Sequence, residues 1–499
     1  MSTIKTRFAP SPTGELHIGG ARTALFNYLF AKNQGGEFLL RIEDTDRQRS
    51  VEGATERIIE SLNWLGISAD NSSAPIIQSG RKEIYQKAAF GLVEEKKAYI
   101  CTCSKEELKK EHDEQVSKGL APKYSGRCRG KSEIRISKSE TNSKSKIQNS
   151  KLPEGAVIRM KMPESGKIII DDLIHGKVEF DPSLLDDQII LKSDGFPTYH
   201  LASVVDDHEM EISHVIRSDE WLSSTPKHLT LYKMFGWEPP KFAHLSMILG
   251  IDHSKLSKRH GATSIIDYKN DGYLPEAIVN FIALLGWNPK NDKEIFSLPE
   301  LVKEFKLKNI NKAAAVFDVE KLNHFNQEEI KNQKSLPRRT SMSSVESQAG
   351  KIKMTIQNIK MSEKIGQLSD GEVELVSRGG FKTLKEAAEY ILKLRKDPEY
   401  DTSLLIFKKS DKEKTLQGLK AVSCQLLSVS NWQEEPLQKL LEQVVSENNL
   451  TNGDVFWPVR VALSGEDKSP SPVELLLALG KEETIKRIKN SLVKLDQLV

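Results

Sequence analysis

The 499-residue chain predicts an α/β protein: an open parallel sheet at the front, a block of strands set into it, and an all-helical C-terminal third. Three observations predict this. Residues 3–42 read as strand, glycine-rich turn, helix and strand, the order that lays two strands parallel. Residues 156–191 carry short β-branched runs with no helical stretch between them. Beyond residue 361 the apolar residues recur at helical spacing. A chain of this length holds three or four domains. The hydrophobic fraction of 38% suits a globular protein, and no run reaches the roughly 18 apolar residues that span a bilayer. The first residues lack the apolar core of a signal peptide, so a cytoplasmic location without membrane partners is expected. Net charge is only +3, so attraction to nucleic acid has to come from local patches. Four cysteines do not make a disulfide scaffold.

The first strand, within residues 3–9, ends where Pro10 and Pro12 remove backbone donors. Gly14, Gly19 and Gly20 let a ligand approach the backbone, and a helical pattern opens at Ala21, with Ala24, Leu25, Tyr28 and Leu29 on its face. A strand feeding such a turn and a helix N-terminus makes an anion site, and His17 adds ring nitrogens there. The glycine spacing matches neither the dinucleotide nor the Walker pattern; a structural turn with a surface histidine is the alternative. Residues 37–42 form the next strand, followed by the acidic turn Glu43-Asp44, where an open parallel sheet places ligand contacts. The alternative is that Asp44 or Thr45 merely starts the next helix. Helices are expected over 52–65 and 79–97.

Cys101, Cys103 and Cys128 cluster in sequence; Cys424 stands alone and is expected as buried filler. Residues 131–151 are too polar to bury a core. Strands follow within 156–162 and at 168–170 and 189–191. Arg217 lies in a further apolar run, with surface pairing to Asp219 or Glu220 as its alternative role. Thr225 caps the next helix, with Pro226 at its first position. Lys255-Leu256-Ser257-Lys258-Arg259 puts three cations and a hydroxyl into five residues. Helices are expected over 274–285 and 298–305, and residues 331–361 are polar and basic. Ser471-Pro472-Val473-Glu474 is a capping box, and Gly480 ends the helix it opens.

His17-Ile18-Gly19-Gly20 and Lys255-Leu256-Ser257-Lys258-Arg259 together resemble the HIGH and KMSKS signatures of class I aminoacyl-tRNA synthetases. The run from Arg7 to Gly20 is similar to the bacterial glutamyl-tRNA synthetases, and the likeness covers most of the chain. It implies a class I nucleotide-binding, Rossmann-like parallel sheet in residues 1–99 and 192–250. It also implies an α+β acceptor-binding insert at 100–191, a KMSKS loop with stem-contact helices at 251–330, and a helical anticodon-binding region at 331–499. The implied reaction joins L-glutamate to tRNA(Glu) with ATP and Mg²⁺, in a monomer. His17, Lys255 and Lys258 take the catalytic roles. Glutamate falls to Arg7, Ala9, Ser11, Glu43, Tyr199, Ser203 and Arg217, where Ser203 replaces the family's usual asparagine and Arg217 meets the γ-carboxylate. ATP falls to Ser11, Gly14, His17, Gly19, Gly20, Lys255, Ser257 and Lys258.

For zinc, relatives use a histidine two residues past the last cysteine, where this chain has Gly130. Another variant uses a tyrosine four residues before it, and Tyr124 stands there. A Zn²⁺ site of Cys101, Cys103, Tyr124 and Cys128, or three reduced cysteines without metal, both follow. Some relatives sense the first anticodon base with an arginine where this chain has Gly380, so charging of tRNA(Gln) as well is expected. The rival readings are a tRNA-modifying paralogue, which lacks the helical C-terminus, and a non-catalytic tRNA-binding relative, which would lose His17 or Lys258.

Overall fold

The computed structural model describes residues 3–130, 152–256, 264–332, 352, 356, 365–378 and 380–498. Ser257, Lys258 and the polar stretch 131–151 lie outside the described residues. The chain divides into two compact units, Met1–Ile266 with Val279–Asp318, and Asp267–Ile278 with Val319–Val499.

The first unit opens with β1 (Lys5–Phe8), α1 (Ile18–Asn33) and β2 (Glu37–Ile42). The two strands pair in parallel, Arg7 opposite Leu39. Helix α1 covers them with Ile18, Ala21, Ala24, Leu25 and Leu29, all without solvent exposure. It begins three residues earlier than the apolar periodicity suggests, because His17 is its N-cap and both glycines belong to its first turn. Gly20 lets Leu16 pack closely: a Cβ there would come within 2.9 Å of a terminal methyl of the Leu16 side chain, which would have to shift. After α2 (Ala54–Trp64), the short β3 (Ile76–Ile77) extends the sheet in parallel beside β2. The helix expected over 79–97 is a 3-10 turn at Gln78–Arg81 followed by α3 (Lys82–Glu94).

β4 (Ala98–Cys101) leads to α4 (Lys105–Ser117), and β5 (Val157–Met160) resumes the chain. Next come β6 (Ile168–Asp172), β7 (Gly176–Phe180), β8 (Ile189–Leu191), α5 (Tyr199–Glu209), β9 (His214–Ser218), α6 (Thr225–Phe235) and β10 (Lys241–Leu245). β4, β5 and β8 form an antiparallel sheet; of the strands expected within 156–191, the one at 168–170 falls instead in β6, which joins β10 in another sheet. β9, β10 and β6 run parallel, with β7 antiparallel at the edge. Ser213, just before β9, ties to Lys5 at the start of β1 by its amide and its hydroxyl, both at 3.0 Å from the Lys5 carbonyl. Tyr85, Phe90, Ile158, Met160, Leu201, Val205, Leu231 and Phe242 pack together as one core of this unit.

The expected cap of α6 is displaced by one residue. Ser224 precedes the helix, and Thr225 is its first residue, with its hydroxyl turned to other work described below. The described part of the second unit is helical, with Leu375, Leu419, Val422, Leu441, Val455, Val459, Leu476 and Ile488 in its core. The Ser471–Glu474 capping box forms as expected, and Gly480, at φ +74° and ψ 173°, ends the helix it opens, as expected; a second helix follows within Pro472–Asp496. Cys424 is exposed, contrary to the expectation of buried filler; it lies on the outer side of an amphipathic helix, Lys412–Ser428. No helix among the described residues is long and apolar enough to cross a membrane.

Candidate active site

The C-terminal end of β1 and the start of α1 set the first half of the site. His17 Nδ1 accepts the Gly20 amide at 3.1 Å. That bond leaves the proton of the neutral ring on Nε2, where it is a donor for an anion. The surrounding protein pushes the His17 pKa down although the ring reaches solvent, and the Lys255 ammonium pushes the same way against Glu220. Ser264 pairs with His17 as a β-bridge, and the Ile265 amide donates to the Leu16 carbonyl at 2.8 Å. Ser264, where the described chain resumes after the lysine-bearing segment, therefore lies beside His17, and the Lys255 charge acts on the same ring. Lys255 pairs with Glu220.

Beyond β2, the Glu43 amide donates to the Pro10 carbonyl at 2.9 Å, which fastens the turn holding Ala9, Ser11 and Gly14. The Ser11 side chain is exposed. Gly14, at φ +152°, has open space around its α-carbon. Under this turn sits a buried ionic cluster. Asp207 of α5 accepts from Arg7 Nε at 3.0 Å and from Arg41 at 2.6 Å. Arg41 also reaches Glu43 at 3.1 Å and the buried Ser203 hydroxyl at 3.3 Å. Burial works against the Asp207 charge, but Arg41 and Arg7 outweigh it and hold its pKa low. Burial pushes the Glu43 pKa up against the same two guanidinium groups. The neighbouring Asp206 takes Gln78, Arg81 and Tyr85 at 2.7–2.9 Å.

Arg217 of β9 is 5% exposed, so the surface ion pair does not form; Glu220 pairs with Lys255 instead. Its donors go to Tyr199 Oη at 2.8 Å, Thr225 Oγ1 at 2.8 Å, His244 Nε2 at 3.2 Å, His228 Nδ1 at 3.4 Å and the Trp221 carbonyl at 3.4 Å. These acceptors are neutral. Burial, then Arg217, pushes His228 well below its ordinary pKa. Burial, Lys227 and Arg217 push His200 down to about 3. Burial likewise lowers His244, against its bond to Asp172. Tyr199 lies against Trp221 with ring centroids 4.2 Å apart and planes tilted by 39°, and the charges of Arg217, Glu43 and Arg7 all act on its hydroxyl, which lies between the Arg217 network and the Arg7–Glu43 cluster. A buried guanidinium among neutral acceptors offers its charge to an anionic ligand.

Sequence reasoning missed Arg41, Asp207, His244 and Asp172. A lone charge inside the apolar run Phe38–Ile42 was the available signal for Arg41.

At the third cluster, the sulphurs of Cys101, Cys103 and Cys128 lie within 4.8 Å of one another. Cys103 and Cys128 are 3.5 Å apart, and the Tyr124 hydroxyl lies 3.4 Å from Cys101 and 3.6 Å from Cys103. Arg159 covers the Tyr124 ring at 3.9 Å. Tetrahedral zinc has ligand-to-ligand edges of about 3.8 Å between sulphurs and about 3.5 Å between sulphur and oxygen, so these donors fit the ion.

Two family profiles match the chain: "tRNA synthetases class I (E and Q), catalytic domain" over residues 3–324, and "Anticodon binding domain" over 355–492. The glutamate–tRNA ligase of Dehalococcoides mccartyi is 43% identical over 504 residues, covering 99% of this chain and 98% of that protein. Glutamate–tRNA ligase 2 of Thermoanaerobacter pseudethanolicus is 42% identical over 496 residues, with the same coverage. A solved glutamate–tRNA ligase from Elizabethkingia meningosepticum, in complex with its amino acid, superposes with TM-score 0.80 at 34% identity over 99% of both chains. Matched end to end by ligases of its own length, and built on the same fold, this chain belongs to the glutamate–tRNA ligase family of class I aminoacyl-tRNA synthetases.

Proposed function

We propose that the chain joins L-glutamate to the 3′ end of tRNA(Glu) in two steps, with Mg²⁺-ATP as co-substrate. The α-carboxylate of glutamate attacks the α-phosphorus of ATP, and pyrophosphate leaves. A hydroxyl of the terminal ribose then takes the glutamyl group, and AMP leaves. The observation that carries this reading is the β-bridge of Ser264, just past the lysine-bearing segment, to His17, whose ring also feels the Lys255 charge. In it, His17 Nε2 and the α1 N-terminus at Gly19 and Gly20 bind the phosphates, and Ser11, Gly14 and Ser257 complete the ATP contacts. Lys255 and Lys258 neutralise the departing pyrophosphate. Glu43 holds the α-ammonium, Arg217 and Tyr199 hold the γ-carboxylate, and Arg7, Ala9, Ser11 and Ser203 shape the rest. The protein's contribution is alignment and charge stabilisation rather than a covalent intermediate. Lys258→Ala is expected to lower kcat about 100-fold or more with little change in the KM for glutamate; steady-state aminoacylation checks this.

Gly380 carries no side chain for reading a base, and its φ of +71° would strain an arginine. Its carbonyl accepts from Gln327 at 2.8 Å. Charging of tRNA(Glu) and tRNA(Gln) transcripts side by side is expected to give glutamyl product on both. Charging of neither removes the proposed function, and strict preference for tRNA(Glu) removes only the wider specificity. Cys101, Cys103, Cys128 and Tyr124 would hold Zn²⁺ and brace β4 against the 124–128 turn. Metal analysis of the purified chain is expected to give one zinc per molecule, lost in Cys103→Ser.

A further inference from the structure

Asp172, at the end of β6, is fully enclosed and meets His244 on β10. Its Oδ2 accepts from His244 Nδ1 at 2.6 Å and from the His244 amide at 3.1 Å. Its Oδ1 accepts the amides of Ile174 and His175, each at 2.9 Å. With its oxygens committed as acceptors, Asp172 fixes the proton of the imidazole on Nδ1. The Nε2 lone pair then faces the other way, toward Arg217 Nε at 3.2 Å and the Thr225 hydroxyl at 3.1 Å. Thr225 in turn accepts from the far guanidinium nitrogen at 2.8 Å. Two sides of the Arg217 fork are thus fixed by partners that carry no negative charge.

We propose that Asp172 and His244 form a relay that positions the Arg217 guanidinium through a neutral acceptor, fixing its orientation while leaving its charge for the side-chain carboxylate of the amino-acid substrate. This rests on the reading of Arg217 as the glutamate contact. A carboxylate placed directly on Arg217 would orient it equally well but would compete with the ligand. Inserting an imidazole moves the negative charge one side chain further away. Strand β6, paired in parallel with β10, therefore supplies a part of amino-acid selection through Asp172.

The test uses the full-length chain charging tRNA(Glu), with KM measured for glutamate and for ATP. In Asp172→Asn the amide group donates to Nδ1 and moves the ring proton to Nε2, where it confronts the Arg217 N–H. The KM for glutamate is expected to rise about 10- to 100-fold, with the KM for ATP unchanged. Two replacements of His244 separate positioning from packing. Asparagine places its amide near Nδ1 and keeps the Asp172 bond; glutamine places its amide near Nε2 and can still accept from Arg217. Positioning predicts that His244→Gln retains more glutamate affinity than His244→Asn. Should these variants fail to fold, Thr225→Val, close to isosteric, removes the other acceptor and is expected to raise the same KM. The inference is overturned if Asp172→Asn or Thr225→Val leaves the KM for glutamate at the wild-type value, if the KM values for glutamate and ATP rise together, or if His244→Asn binds glutamate better than His244→Gln. Arg217→Gln is the reference: if it too leaves the KM for glutamate unchanged, the assignment of Arg217 fails, whereas a raised value there beside a normal Asp172→Asn removes the relay alone.

Discussion

Arg217→Gln is expected to lower kcat/KM for glutamate roughly 30- to several thousand-fold, the cost of about 2–5 kcal/mol for removing one partner of a buried charge pair. The KM for ATP should hardly move. Arginine at this place provides a planar fork and a permanent charge; glutamine provides neither, and lysine restores only the charge. Arg217→Lys is therefore expected to recover a small part of the loss. Stability should respond differently. Among the described partners of Arg217 no carboxylate depends on it, so its removal orphans no negative charge. The hydrogen bonds lost to Tyr199, Thr225 and His244 are offset by relief from burying an unneutralised cation. Thermal unfolding near the wild-type temperature, together with collapsed glutamate kinetics, is the expected pair of results. A normal KM for glutamate would show that the γ-carboxylate binds elsewhere.

How much of this was legible in the sequence depends on what each feature needs. The strand–turn–helix at the front was legible because prolines, glycines and period announce themselves locally. Its exact start was not: His17 caps α1 through its own ring, and the sequence pattern begins only where apolar side chains begin. Arg7, Glu43, Tyr199 and Arg217 were named, and the structure places Arg7 and Glu43 around one buried cluster and Tyr199 on Arg217. What no local pattern contained was the interior that orients them. Asp207 is 166 residues from Arg41, and Asp172 is 72 residues from His244. Such pairs form only when elements distant in sequence come together, α5 with β2 for the first and β6 with β10 for the second. Thr225 illustrates the same limit. Its position before a proline suggests a helix cap, but Arg217 and His244 lie within reach of its hydroxyl, and the tertiary contacts prevail over the local preference.

Arg41→Met is expected to destabilise the first unit by about 3–5 kcal/mol at pH 7, because it leaves buried carboxylates without their common cation. Arg41 is fully enclosed and lies within 4 Å of Asp207, Glu43 and Asp206. Asp207 keeps Arg7, and Asp206 keeps Arg81, Gln78 and Tyr85, so Glu43 is left the most exposed to the loss. The sign with pH follows from the direction of the Asp207 shift. Its pKa is depressed in the folded chain, so its stabilisation is present above the unfolded carboxylate value of about 3.9 and is lost as pH falls through the depressed folded value. In the variant that depression shrinks, and the Glu43 pKa, already raised by burial, rises further. The folded variant then takes up protons at a higher pH than the wild type, which relieves it in acid. Its deficit should be largest at pH 7 and smaller near pH 4, read from the urea midpoint of the first unit's transition at each pH. A deficit constant across that range would mean that Arg41 stabilises the site by packing its stem against α5 rather than by its charge.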